Sequence, residues 1–257
     1  MKRLLTAFLL AFTLAFACYG QTVNPGAPVA QPKDILRDDN FLNYVGGNIK
    51  LLSANYTAYD AGSKIISKGE FLRKLTTRNY FYIQLNSTDH KLYLKLYKLS
   101  GKAKKSYGGI VYAYTRLIYD EFKHVGKKFP AFDFVDINGN RYNSQNTKGK
   151  IVVLKCWFIG CTTCVEEMPA LNELVKQYKH RKDIIFVSLA PDSKAKLQAF
   201  FKNRTFDYQK VPGQDAFITK TLNVSAYPTH FIINKQGTIV NVVDSPEEIA
   251  YTLKNDI

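Results

Sequence analysis

Ile151-Val-Val-Leu-Lys-Cys-Trp-Phe158, Ile159-Gly160, Cys161-Thr-Thr-Cys164 and Val165-Glu-Glu-Met-Pro-Ala-Leu-Asn-Glu-Leu-Val175 form one continuous stretch, and its reading decides the fold. The first segment is apolar and β-branched, the mark of a buried strand. The last carries Val165, Met168, Leu171, Leu174, Val175 and then Tyr178 at helical spacing, the mark of an amphipathic helix, with Pro169 expected to kink it. Cys161 and Cys164 therefore fall at a strand-to-helix junction. Backbone N–H groups and the positive end of the helix dipole point outward there, and both favour thiolate over thiol. The second Cys follows about one helical turn later, close enough for an intramolecular disulfide. The plainer readings fit less well. A disulfide across two residues closes too small a loop to stabilise much. Zinc needs further ligands, and the chain has neither a second Cys-x-x-Cys nor a His pair. Covalent haem needs His where Val165 stands. Redox chemistry with no metal and no cofactor is the expectation.

Downstream, residues 183–190 read as a buried strand and 193–203 as a helix. Residues 214–222 read as a short helix, and 229–234 with 238–243 as a hairpin. Ser245-Pro-Glu-Glu248 is a capping sequence for a closing helix. Cys156 lies inside the strand, where its neighbours predict a buried, inert thiol.

Upstream, Met1-Lys-Arg followed by the apolar run from Leu4 to Ala17 reads as a signal peptide, residues 1–20, too short to span a bilayer. Cys18 raises a second possibility, a lipoprotein signal ending at residue 17 and a lipid anchor at Cys18. Either reading places the protein in an oxidising extracytoplasmic space. Residues 21–33, rich in Pro, Gly and Ala, read as a flexible tether. Residues 34–120 read as a small α+β region of unknown function. A strand is expected over 49–56, a capped helix begins at Ser67-Lys-Gly-Glu70, and a hairpin covers 80–85 and 91–99. The Gly-bearing basic stretch 101–109 reads as loop and 110–124 as helix. The many Tyr residues fit a small core better than a partner-binding face. Asp60-Ala-Gly-Ser-Lys64 lacks the alternating acidic ligands of a calcium loop. The formal net charge is +15, but apart from Lys102, Lys104, Lys105 and Lys127-Lys128 the charges are scattered. With no nucleic-acid motif beside them they read as a solvated face, so no nucleic-acid partner is expected.

Several separated motifs in residues 121–257 resemble the exported thioredoxin-like proteins of the TlpA/ResA type. They are Gly126-Lys-Lys-Phe-Pro-Ala-Phe-Asp-Phe134, Asp136-Ile-Asn-Gly139, Lys148-Gly-Lys-Ile-Val-Val-Leu154, the Cys pair, Glu166-Glu-Met-Pro169, Ala226-Tyr-Pro-Thr-His-Phe-Ile-Ile-Asn234 and Gln236-Gly-Thr-Ile239. The resemblance covers about half the chain and is greatest to Bacteroidetes-type members with an extra N-terminal region. It implies an α/β, thioredoxin-like fold, a central mixed β-sheet flanked by helices, preceded here by the small α+β region. It implies that Pro228 is cis and packs beside the pair, that Glu167 exchanges the proton of Cys164, and that Tyr227, Thr229 and Phe158 form the substrate-binding surface. A strand from the substrate would then pair with the Tyr227 backbone. The implied activity is exchange with protein disulfides of the cell envelope, in the periplasm or on a membrane facing it. A membrane thiol-electron transporter is the implied reductant.

The chain departs from that pattern at three positions. Gly160 stands where many relatives have Trp, Thr163 where many have Pro, and Lys155 in the place of a buried Asp or Asn. An inward Lys155 is expected to favour thiolate. Other functions fit the same residues less well. A thiol peroxidase of peroxiredoxin type needs Thr three residues before its reactive Cys, and Phe158 stands there. A non-catalytic envelope binding module would carry a vestigial pair. A copper chaperone would need a His ligand, for which His230 is the candidate, although it fits a strand face better.

Overall fold

The computed structural model describes residues 25–255 and 257. The signal peptide, Cys18 and residues 21–24 of the expected tether lie outside the described residues. The described part of the expected flexible tether is ordered instead: Gly26 N–H donates to Asn86 O and Val29 N–H to Gln84 O, each at 2.9 Å, and residues 32–33 begin a short helix.

The first unit contains α1 (Pro32–Ile35), α2 (Asp38–Asn48), β1 (Thr57–Tyr59), β2 (Ile65–Ile66), α3 (Lys68–Leu75), β3 (Tyr80–Leu85), β4 (Tyr93–Lys98) and α4 (Gly101–Phe122). Its sheet has the order β2-β1-β4-β3. The expected hairpin forms, with Tyr80 opposite Lys98 and Leu85 opposite Tyr93. Ser67 caps α3 as expected, its hydroxyl accepting from Glu70 N–H at 3.1 Å. A core of Phe41, Phe71, Phe81, Tyr82, Leu94 and Val111, among others, fills the unit, so its aromatics are largely interior.

Two expectations fail here. The strand expected over 49–56 is a 3₁₀ turn, Ile49–Leu52, continuing α2, and extended chain begins only at Thr57. Its apolar residues face the core from a helical turn, with Leu52 fully buried. The loop expected over 101–109 is the first half of α4. Gly108 misled that reading. A Cβ there would lie 2.5 Å from the Arg78 carbonyl oxygen, so the glycine permits close packing of a helix and does not mark a turn.

The second unit begins with the small hairpin β5 (Asp133–Val135) and β6 (Arg141–Asn143). There follow β7 (Ile151–Cys156), α5 (Thr162–Glu166), α6 (Met168–Gln177), β8 (Ile184–Leu189), α7 (Lys194–Phe200) and β9 (Gln209–Val211). A π-helical turn (Phe217–Thr221), β10 (Thr229–Ile233), β11 (Ile239–Val243) and α8 (Pro246–Asn255) complete it. The five-stranded sheet has the order β11-β10-β7-β8-β9. β7, β8 and β9 are parallel, while β10 is antiparallel to both β7 and β11. This mixed sheet with helices on both faces is the thioredoxin-like fold expected from the resemblance.

β7 is the central strand and every residue in it is buried. Its period-2 alternation sends Ile151 and Val153 into one core, with Trp157, Met168, Leu171 and Ile249. Val152, Leu154 and Cys156 enter the other, with Phe134, Val211, Ile218 and Phe231. Lys155 takes the phase of Ile151 and Val153, so a charged side chain enters the face covered by α5 and α6. The helix expected over 165–175 is broken at Glu167, which ends α5 and precedes α6. Pro169, near the start of α6, has no N–H to continue the ladder across that break.

Candidate active site

The loop leaving β7 is held at both ends. Trp157 is fully buried among Phe200, Phe201 and Phe206, with ring centroids 5.7–6.3 Å away. Ile159 N–H donates to an Asp192 carboxylate oxygen at 3.0 Å. The chain is then delivered to Cys161, which is the N-cap of α5.

Cys161 and Cys164 are joined as a disulfide. Cys164 is fully buried, whereas Cys161 retains 7% exposure. The Cys164 N–H donates to Cys161 Sγ at 3.3 Å, and the Thr163 hydroxyl lies 3.6 Å from the same sulfur. A sulfur at an N-cap thus receives a backbone donor that favours its anion once the bond is reduced. Cys156 is the contrast: it is fully buried on the opposite face, and burial pushes its thiol well above the usual range.

The Tyr227–Pro228 peptide is cis. Thr229 pairs with Cys156 at the end of β7, so the turn before β10 lies at the same end of the sheet as the Cys loop. Phe158 and Tyr227 meet edge to face, with centroids 5.3 Å apart and both half-buried. Thr229 is buried and its hydroxyl donates to Ala226 O at 2.8 Å. A Cβ on Gly160 would stand 3.3 Å from the Phe158 ring. A side chain at 160 would therefore need the Phe158 ring to shift by a few tenths of an ångström.

Beneath the pair lies a buried charged cluster. Lys155 on β7 and His230 on β10 are cross-strand partners, and both are fully buried. Glu167, at the helix break, accepts from the Lys155 ammonium through Oε1, and His230 Nε2 lies 3.1 Å from the same oxygen. The Glu167 side chain is 10% exposed, while Glu166 faces solvent. Burial raises the Glu167 carboxyl, but hydrogen bonding and charge from His230 and Lys155 outweigh it and hold the group below the ordinary range. Burial lowers both Lys155 and His230, and Glu167 opposes that shift in each. Lys155 thus points inward as the sequence allowed, but its ammonium meets Glu167. The His230–Glu167 contact was missed. Its one signal in the sequence is a His two residues after Pro228, in phase with a lysine that must find a buried counter-charge. Among the described residues, no group of three or more His, Cys, Asp or Glu is disposed to hold a metal ion.

Comparison with known proteins agrees with this geometry. The family model described as AhpC/TSA family matches residues 125–242. The chain is 30% identical over 124 residues to thiol-disulfide oxidoreductase ResA of Bacillus thuringiensis subsp. konkukian (strain 97-27), covering 48% of this chain and 72% of that protein. It is 34% identical over 122 residues to ResA of Bacillus subtilis (strain 168), covering 46% and 66% respectively. A solved thiol-disulfide oxidoreductase from Bacteroides fragilis NCTC 9343 aligns with TM-score 0.46 at 20% identity, over 51% of this chain and 100% of that one. The family match begins three residues after α4 ends. With a Cys-x-x-Cys disulfide at the helix entrance, the chain belongs to the AhpC/TSA thioredoxin-like family and is a thiol-disulfide oxidoreductase of the ResA type.

Proposed function

We propose that the protein is an exported disulfide reductase of cell-envelope proteins, in which Cys161 attacks and Cys164 resolves. The observation that carries the assignment of roles is the asymmetry of the pair: Cys161 is the sulfur with residual exposure and a backbone donor, and Cys164 is sealed.

In the reduced enzyme the Cys161 thiolate attacks one sulfur of a partner disulfide. A mixed disulfide forms, and the partner's other sulfur leaves as thiolate and takes a proton. Glu167 then accepts the proton of Cys164. The two residues are three apart and Glu167 keeps helical backbone angles, so their Cβ atoms stand about 5–6 Å apart. The Cys164 thiolate attacks Cys161 Sγ, the bond to the partner breaks, and the electron pair departs on the partner's sulfur, which is protonated. Two electrons pass from the pair to the partner. Phe158, the cis Tyr227–Pro228 turn and the Thr229 backbone form the surface against which an extended substrate segment lies. A membrane thiol-electron transporter restores the dithiol, and the N-terminal segment supplies export, with Cys18 as the place for a lipid anchor. Residues 34–120 are an accessory region, whose α4 packs against the sheet, and 121–257 the redox domain.

Titration of the pair against dithiothreitol or glutathione tests the direction of electron flow. A potential near or below about −270 mV agrees with a reductase, whereas one near about −120 mV identifies an oxidant. Cys161→Ser is expected to abolish reduction of insulin disulfides, and Cys164→Ser to accumulate the mixed disulfide, seen as an added mass on the intact protein.

A further inference from the structure

Three polar side chains meet on the face of the sheet beneath the Cys pair, and two of them have no place in the thiol chemistry. Lys155 and His230 stand opposite each other on β7 and β10, are fully buried, and converge on the same oxygen of Glu167. Burial of three ionisable groups is costly unless they satisfy one another. A strand otherwise made of Ile, Val, Leu and Cys therefore does not carry a lysine here merely to fill space.

We infer that Lys155 and His230 are positioning residues that act through Glu167: Lys155 keeps its carboxylate ionised, and His230 fixes its orientation toward Cys164. This rests on the reading of Glu167 as the proton acceptor of the resolving step.

The two partners do different work. The ammonium is a full charge in contact with the carboxylate and sets how readily that carboxylate takes a proton. His230 is held neutral, and its Nδ1 has no hydrogen-bond partner among the described residues. A charged imidazole would place an unanswered N–H in the core, whereas the neutral tautomer donates from Nε2 to Glu167 and leaves Nδ1 bare. His230 is thus a directional donor anchored to a rigid strand. The other groups that bear on the cluster are the buried Tyr208 hydroxyl, which Glu167 influences, Asp244 beyond β11, which influences His230, and the neighbouring Cys156 thiol, which interacts with Lys155. None of them hydrogen-bonds Glu167. When Glu167 takes the Cys164 proton, Lys155 loses its counter-charge and the new thiolate becomes the anion nearest in role. The proton moves while the net charge of the cluster and Cys164 together stays constant.

The test follows reaction of the reduced full chain with an aromatic nitrobenzoate disulfide. Attack by Cys161 releases one coloured thiolate, and resolution by Cys164 releases the second. The rate of the second release is measured against pH. The wild type is expected to lose rate on the acid side as Glu167 becomes protonated. Lys155→Met should move that limb upward by a pH unit or more, a tenfold or greater loss on the limb. His230→Leu should slow the second release several-fold, and His230→Gln, which restores an amide N–H at the position of Nε2, should recover it. Glu167→Gln should abolish the limb, and Lys155→Met added to it should change the profile no further. A wild-type limb in Lys155→Met together with wild-type resolution in His230→Leu overturns the inference. So does a further shift of the profile in the double variant. If Lys155→Met does not fold, the contrast between His230→Leu and His230→Gln decides the matter. A Glu167→Gln profile identical to wild type overturns the proton-acceptor reading itself, an outcome separable from the first two.

Discussion

The two faces of the central sheet each bury a carboxylate, and they treat it in opposite ways. On the face beneath α5 and α6, Glu167 is met by Lys155 and His230 and its carboxyl is held below the ordinary range. On the other face Glu121, near the end of α4, lines a small cavity with Phe231 and Val242. Burial pushes its carboxyl up to about 8, and the neighbouring Asp244, Glu248 and Asp120 push the same way. Desolvation raises both groups, so the neighbours decide the direction of the shift. A carboxylate answered by a cation and a hydrogen-bond donor remains an anion able to accept a proton. One crowded by other acids remains neutral near pH 7 and serves as packing between α4 and the sheet.

The comparison breaks first at Glu167. Glu167→Ala leaves the Lys155 ammonium buried without its partner, and removing one member of a buried pair costs about 3–5 kcal/mol. Urea unfolding at pH 7 should show that loss. A cost below about 1 kcal/mol would mean that the ion pair does not hold the two strands and the helix break together.

The opposite sign is expected at Glu121. Its folded pKa, raised to about 8, lies above its ordinary value of 4.5. Between these values the unfolded chain binds fewer protons than the folded one, so its contribution to stability falls as pH rises and levels off above about 8. Glu121→Gln should therefore stabilise the protein at pH 8 by on the order of 1 kcal/mol or more, and change little at pH 4. Thermal unfolding across that range checks it, and a variant less stable than wild type at pH 8 contradicts the neutral assignment.

The cluster face should fail on the acid side. His230 is a base whose folded pKa lies below its ordinary value of 6.5, so its share of stability is intact above that value and declines as pH falls through it. Glu167, also lowered, adds its loss below its ordinary value of 4.5. His230→Gln should flatten the decline between about pH 6.5 and pH 5. An equal decline in the variant would remove His230 from the explanation.

The smallest effect is expected at Cys156. Its thiol is buried on the face without the cluster and is a poor source of thiolate. Cys156→Ala should leave disulfide exchange unchanged and cost roughly 1 kcal/mol for the lost sulfur volume. A change in the reduction potential of the Cys161/Cys164 pair would show that the two faces communicate.

Much of this molecule was legible from local pattern. The run Ile151–Cys156, the Cys-x-x-Cys that follows it, the hairpin signals after Pro228 and the caps at Ser67 and Ser245 are short-range features. Period 2, period 3.6 and a hydroxyl before a helix act within a few residues, so they survive reading without coordinates. The errors came where distant chain decided. Residues 49–52 have strand-like composition but turn with α2 into a core supplied by other elements. Residues 101–109 carry glycines that suit a loop, yet Gly108 answers to the carbonyl of Arg78, thirty residues earlier. The active-site cluster divides along the same line. The sequence by itself located the Cys pair and its strand-to-helix setting, and the resemblance singled out Glu167, which the structure finds mostly buried while Glu166 is exposed. Only the tertiary structure decided that Lys155 and His230 converge on that carboxylate, because the antiparallel register of β7 with β10 brings together residues seventy-five positions apart. A buried charge is obliged to find a partner, but which partner it finds is set by strand register, and register is a property of the assembled sheet.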